Sequence, residues 1–191
     1  DAAGTAYSMN ILSLFFATWY VEEMGGTEFA YGVAVSAAML LSAITMPYLG
    51  ARIGDRRAAG RYAGVLIGTF FVVTTTAGLG LFRPSMATAL VLFAVGLYAY
   101  QFACVFYNAL LPSIATSSRT GGASGAGTAF GYAGSIAAMI AVQPFLSSDP
   151  SRFTRADAFA PTAILTLVLA IPFAIFLRGR GAERPEAPAR P

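Results

Sequence analysis

Residues 29–49, FAYGVAVSAAMLLSAITMPYL, run into the connector GARIGDRRAAGR at residues 50–61 and then into a second apolar stretch, YAGVLIGTFFVVTTTAGLGLF, at residues 62–82. Each apolar stretch is about 20 residues long, which is the length that an α-helix needs to cross the hydrocarbon core of a bilayer. The connector carries four arginines and one aspartate and is too short to form a domain. This segment therefore predicts two membrane-spanning helices joined by a polar loop.

The rest of the chain repeats this pattern, with apolar stretches at residues 6–21, 86–111, 125–146 and 158–177. Hydrophobic residues make up 57% of the 191 residues and charged residues 11%, and the mean hydropathy is +0.65, which is too apolar for a soluble domain. Continuous apolar runs also disfavour a membrane barrel, whose strands alternate apolar and polar residues. The sequence predicts an all-α, polytopic membrane protein with six transmembrane helices in residues 1–178. Residues 179–191, rich in proline, alanine and arginine, are predicted to form a flexible cytoplasmic tail or linker.

Arginine placement predicts the orientation, because the chain contains no lysine. The second connector carries four arginines and residues 178–191 carry another four, whereas the first connector is acidic, with Glu22, Glu23 and Glu28. By the positive-inside rule, both termini and the second and fourth connectors are cytoplasmic. The basic residues lack the interleaved aromatic residues of a nucleic-acid surface, so we expect a lipid bilayer and no nucleic acid as partner.

Composition excludes several chemistries. The chain has no histidine and a single cysteine, Cys104, so His-based triads, HExxH sites, His-ligated haem and an internal disulfide cannot form within it. Hydroxyl, amide and carboxyl groups are scattered without a base that could activate a nucleophile. We therefore expect no enzyme, catalytic residue, metal site or cofactor, and we interpret Cys104 as a small apolar filler in the middle of a span.

Polar side chains recur within two spans. Gln101 and Asn108 are seven residues apart and share one face of the fourth span, and Tyr7 and Asn10 are three residues apart in the first. Such groups should not face lipid. They either form hydrogen bonds between helices, worth about 0.6 kcal/mol each, or contact a polar solute, and the sequence leaves both interpretations open.

The fifth span has a stripe of small residues. Gly127, Gly131 and Ser135 follow Ala123 at intervals of four, so one helix face is nearly flat and a neighbouring backbone can approach it closely. We predict static helix packing at this face, with a hinge as the alternative.

The connector at residues 50–61 resembles the cytoplasmic signature between helices two and three of the major facilitator superfamily of membrane transporters. The matching residues are Gly50, Asp55, Arg56, Gly60 and Arg61. Gly50 lies one residue further from Asp55, and Gly60 two residues further from Arg56, than in the family pattern. The resemblance implies a gate loop in which Asp55 forms charge-assisted hydrogen bonds that break and reform as two helix bundles rock. A purely topological role for this basic loop is the alternative.

Three further segments resemble one branch of that superfamily, which contains the vacuolar amino-acid effluxers of fungi and their bacterial relatives. The segments are FYNALLP at residues 106–112, SGAGTAFGYAGS at residues 124–135 and DAAGTAY at residues 1–7. The resemblance implies the amino-terminal six of the family's twelve helices, a bacterial cytoplasmic membrane, and a central cavity lined by helices one and four. It makes Tyr7, Asn10, Gln101 and Asn108 the candidates for solute contact.

These observations predict a secondary transporter, or its amino-terminal half, that moves a small polar solute by alternating access. The resemblance favours amino acids as the solute, and a second six-helix half or a second copy of this chain as the partner that completes the cavity. No acidic or basic residue lies in the middle of a span, so we expect the coupling site in the other half, or uncoupled transport. The alternative is a non-transporting membrane subunit that packs as a scaffold in a larger complex.

Overall fold

A computed structural model of the chain describes residues 2–53, 58–114, 120–147 and 155–180. Within these ranges all regular secondary structure is helical and no strand is present, so the prediction of an all-α chain is confirmed. Each apolar stretch predicted from the sequence falls within one helical segment, except that the stretch at residues 158–177 begins in the 3₁₀ turn before the last helix. The tail predicted for residues 179–191 lies outside the described residues, apart from its first two, which end the last helix.

The helical segments are numbered here in chain order. The first, α1, covers residues 2–23 and is irregular: Ala2–Tyr7 and Phe16–Thr18 are α-helical, whereas Ser8–Phe15 and Trp19–Glu23 form wider π-helical turns. The others are regular α-helices: α2 Glu28–Ile53, α3 Ala58–Phe82, α4 Met86–Ile114, α5 Thr120–Ser147 and, after a 3₁₀ turn at Arg155–Ala158, α6 Phe159–Arg180.

Four helical regions in the described part of the chain are long and apolar enough to cross a membrane, judged by length and composition. They are Glu28–Ile53, Gly60–Phe82, Met86–Leu110 and Arg155–Pro172. This set is compatible with an integral membrane protein. Crossing by α1 and α5, which the sequence also predicts, stays a prediction.

The helices pack in a regular set of pairs. The main partners of α4 are α2 and α3, those of α1 are α5 and α6, and α3 also packs against α6. Exchanging α1, α2 and α3 with α4, α5 and α6, in that order, reproduces the same pairs. The first three helices and the last three therefore have equivalent packing roles, with α1 and α4 as the central members.

The largest buried cluster is aromatic and joins α1 to α4 and α6. Phe16 in α1 stacks on Phe93 in α4, with ring centroids 4.0 Å apart, and Trp19 meets Phe159 of α6 edge-on at 5.1 Å. All four side chains are buried. Aromatic pairs of this kind contribute about 0.5–1.5 kcal/mol beyond their buried area, so this cluster fixes the irregular α1 against two regular helices.

Ion pairs connect helix ends at the side of the bundle that carries Glu22, which we call the Glu22 end. The backbone N–H of Arg155 donates to both carboxylate oxygens of Glu23, at 3.1 and 3.2 Å, and its guanidinium pairs with Glu22. Arg83, just after α3, donates to Asp157 at 3.2 Å. The ends of α1 and α3 are thereby tied to the turn that precedes α6.

Candidate functional site

An open cleft of about 610 Å³ lies between α2 and α4. From α4 it is lined by Gln101, Cys104, Val105 and Asn108, and from α2 by Met39, Ser42, Ala43, Met46 and Pro47. The structure thus brings together the two amides that the sequence places on one helical stripe. We call this space the α2–α4 cleft.

The amide of Gln101 has a defined orientation in the cleft. Its Nε2 donates to the thioether sulfur of Met39 at 3.4 Å. Because a thioether sulfur can only accept, the nitrogen must face Met39, and the amide oxygen is left as an acceptor. Asn108, two helical turns further along α4, is exposed at the cleft.

The two walls of the cleft are joined by a hydrogen bond between hydroxyl groups. Thr45 Oγ1 lies 3.1 Å from Tyr98 Oη, and Thr45 also donates to the carbonyl oxygen of Leu41 at 2.7 Å in its own helix. Ser42, buried in the wall, donates to the Ala38 carbonyl at 2.8 Å. These hydroxyl donors are engaged with protein groups, so the amides supply the polar donors that face the cleft.

The sequence did not identify the residues of α2 that form the other wall of the cleft. Met39, Ser42, Ala43 and Met46 are spaced i, i+3, i+4 and i+7, which is one face of a helix. A single serine in an otherwise apolar stripe was the available signal, but sequence alone does not say which helix this stripe faces.

Tyr7, one of the two candidates in the first span, does not line this cleft. Tyr7 is only 1% exposed and packs in the core, with its ring centroid 5.6 Å from that of Tyr100. Asn10 lies on the π-helical part of α1, and its side chain is outside the described residues. Solute contact by these two residues stays a prediction.

A smaller cavity of about 90 Å³ lies inside the bundle, where α1, α3, α4 and α6 meet. Its lining includes Gly4, Thr69, Tyr100, Cys104 and Tyr107. Cys104 therefore borders both the inner cavity and the α2–α4 cleft, and it is half-buried. The interpretation of Cys104 as a small apolar filler stays a prediction.

The described members of the predicted gate loop lie at the end of the bundle opposite the Glu22 end. Asp55 and Arg56 are outside the described residues. Gly50 lies near Val105 of α4. Arg61 Nη1 donates to the backbone carbonyl of Ala109 at 3.1 Å, which joins the start of α3 to the last turns of α4. Gly60 borders a separate cavity of about 290 Å³ in this region. A positive side chain is favourable near the carboxyl end of a helix.

The small-residue stripe of α5 lies on the covered side of that helix. Gly131 and Ser135 are buried, and Gly127 is half-buried near the Tyr107 hydroxyl of α4. Ser135 Oγ donates to the Gly131 carbonyl at 2.9 Å within the helix. The main packing partner of α5 is α1, and burial of Gly131 and Ser135 agrees with the predicted role of this stripe in helix packing.

Comparison with known proteins gives one distant relative. The chain is 28% identical to an uncharacterized protein of Aquifex aeolicus (strain VF5), in an alignment that covers 100% of this chain and 45% of that protein. The chain thus spans less than half the length of this relative. No family model and no solved structure matches the chain.

Proposed function

We propose that this chain is a six-helix half of a secondary transporter, embedded in a bacterial cytoplasmic membrane, that moves a small polar solute by alternating access. The observation that carries the proposal is the α2–α4 cleft, in which Gln101 and Asn108 present amides between two long apolar helices. A polar cleft with few, well-placed groups between helices is the usual form of a solute site in a transporter.

Exposed apolar side chains support the membrane assignment. Ile44 on α2, Phe70 on α3 and Ile175 on α6 are each more than 60% exposed. Helices of water-soluble proteins rarely expose so many large apolar side chains. On α5, Phe130 and Ile140 are exposed to a similar degree, which favours a lipid-facing or partner-facing side for this helix too. We therefore keep six spans, with both termini cytoplasmic, as part of the proposal.

The packing pairs support an inverted repeat. With alternating spans, α1 and α4 run in opposite directions, so the exchange of the first three helices for the last three relates two units of inverted topology. Transporter halves of the superfamily that the sequence resembles are built from such three-helix units. The equivalent places of α1 and α4 agree with this architecture.

A partner is needed to close the cleft. The helix that forms one wall, α2, has only 11% of its apolar part buried, and the matched region makes up 45% of the Aquifex relative. We propose a second six-helix half in the same polypeptide as the partner, with amino acids as the solute class favoured by the resemblance. A second copy of this chain, or unrelated subunits around a scaffold, are the competing assemblies.

Counterflow in liposomes tests the proposal. Full-length protein is reconstituted and the exchange of isotope-labelled amino acids is measured for the native protein and for Gln101→Leu/Asn108→Leu. Loss of each hydrogen bond to the solute lowers affinity about fivefold, so the double variant, which loses two, should lose most of its exchange.

Thr74→Val is the matched control. Thr74 is exposed on α3 and its hydroxyl bonds only to the Phe70 and Phe71 carbonyls of its own helix. This variant should exchange like the native protein. Equal exchange by the double variant would remove the cleft from the transport path.

A further inference from the structure

Two prolines each remove a backbone hydrogen-bond donor from the helices that form the α2–α4 cleft. Pro47 lies inside α2, and Pro112 lies near the end of α4. Proline has no N–H, so the carbonyl four residues earlier lacks its helical donor. The two affected carbonyls belong to Ala43 and Asn108, and both residues line the cleft.

Side chains add acceptors to the same space. The contact of Gln101 Nε2 with Met39 leaves the Gln101 amide oxygen as an acceptor. Asn108 contributes a side-chain oxygen as well as its backbone carbonyl. The residues that line the cleft thus supply oxygen acceptors from two facing helices, and a backbone carbonyl without its helical donor is costly unless water or a ligand satisfies it.

From these acceptors we propose that the α2–α4 cleft binds a small monovalent cationic centre, either an alkali metal ion or a primary ammonium group. In transporters whose helices are interrupted, backbone carbonyls without a helical donor hold Na⁺; here α2 and α4 are continuous, and proline is what removes the donor. In the described part of the chain, the nine residues that line the cleft include no carboxylate, so a divalent ion would bring two charges that these residues do not compensate. The sulfur atoms of Met39, Met46 and Cys104 are soft ligands, so they line the cleft without coordinating a hard cation.

Two arginines are described near the connector at residues 50–61, and neither guanidinium lines the cleft. Arg61 bonds to the Ala109 carbonyl, and Arg52 lies over the Tyr48 ring at 4.3 Å. A cation there gains oxygen contacts without direct contact with a positive side chain.

The inference concerns the same cleft as the proposed function and deepens it by naming a coupling ion or a solute head group, but its test requires only binding. Purified full-length protein in detergent is titrated with NaCl, KCl, methylammonium chloride or choline chloride, and thermal unfolding is followed. A ligand that binds the native state raises the unfolding temperature in a saturable way. Saturation with Na⁺ or K⁺ identifies an inorganic ion, and saturation with methylammonium alone identifies an ammonium group.

Pro47→Ala tests the assignment to this cleft, because it restores the N–H that the Ala43 carbonyl lacks and favours the helix. Loss of one acceptor should raise the half-saturating concentration about fivefold, the factor that corresponds to about 1 kcal/mol. Pro172→Ala is the matched control, since Pro172 also lies inside a helix, α6, but releases the carbonyl of Val168 away from the cleft. It should leave the half-saturating concentration unchanged.

The proposal is overturned if none of the three small cations gives a saturable shift beyond that of choline. It is also overturned if Pro47→Ala binds as the native protein does, or if Pro172→Ala weakens binding equally. Amino-acid exchange without a cation effect would support the transporter proposal and overturn the cation site. A cation effect without exchange would support the cation site and contradict the transporter proposal.

Discussion

At the scale of single residues, Arg83 shows a local conflict in the fold. It has a φ of 42°, in the left-handed region that favours glycine, directly after α3. Its guanidinium pairs with Asp157 at 3.2 Å, although the arginine side chain is 66% exposed. An exposed ion pair contributes at most about 1 kcal/mol, similar to the cost of the backbone conformation.

Substitution of Arg83 separates these two effects. Arg83→Gly removes the ion pair and relieves the backbone, so its free energy of unfolding in detergent should lie within about 1 kcal/mol of the native value. Arg83→Ala removes the ion pair and keeps the strained backbone, so it should be less stable than the glycine variant by about 1 kcal/mol. A more stable alanine variant would contradict the strain at this position.

The sequence predicted some of the site at this scale and missed the rest for physical reasons. Gln101 and Asn108 share a face because helical periodicity requires it, whichever helix lies opposite. Burial of Tyr7 depends on the Tyr100 ring, and the wall around Ser42 depends on how α2 meets α4; both are tertiary contacts that periodicity does not encode.

At the scale of helices, α3 and α4 approach each other closely at Gly68. A Cβ built on Gly68 would lie 2.8 Å from the Ala103 Cβ and 3.0 Å from the Ala99 carbonyl oxygen. Gly32, in α2, has no atom within 4 Å of a Cβ placed on it. The two glycines therefore differ only in whether a neighbouring helix needs the space.

Gly68→Ala should lower the free energy of unfolding by about 1–3 kcal/mol, because the helices must separate to admit the methyl group. Gly32→Ala should be neutral or stabilising by up to about 1 kcal/mol, since alanine favours the helix. Unfolding by SDS titration from a mild detergent measures both. If the two variants behave alike, the close α3–α4 contact is wrong.

Helix positions were largely predictable, but the interior of α1 was not. Continuous apolar stretches bounded by polar connectors mark where helices lie, because backbone groups in an apolar environment must be paired internally. The π-helical turns at Ser8–Phe15 and Trp19–Glu23 have no counterpart in the sequence pattern. They place Phe16 and Trp19 in the aromatic cluster, so side-chain packing accompanies the altered helical repeat.

At the scale of the whole molecule, the proposal predicts the size of the natural protein. Intact mass after gentle extraction from the native membrane should be about twice the 19.9 kDa of this chain in one polypeptide, as expected of two six-helix halves. A chain of 19.9 kDa in a symmetric dimer would instead favour a half-size transporter. The same chain bound to unrelated subunits would favour the scaffold.

The central claim is that the α2–α4 cleft is open to water within the membrane. Cys104 reports on it directly, because it is the chain's single cysteine and it borders the cleft. Cysteines elsewhere in the full-length protein are replaced by serine, and Cys104 labelling by a charged, membrane-impermeant methanethiosulfonate is measured in sealed vesicles of both orientations. Phe70→Cys in a Cys104→Ser background is the control, because Phe70 is exposed on the apolar surface of α3.

The account predicts that the charged reagent modifies Cys104 from at least one side of the membrane, and that the cysteine at position 70 reacts only with a lipid-soluble maleimide. A Cys104 that is as inert to the charged reagent as the control cysteine would show that the cleft is filled by lipid or protein. That result would contradict a solute pathway through it.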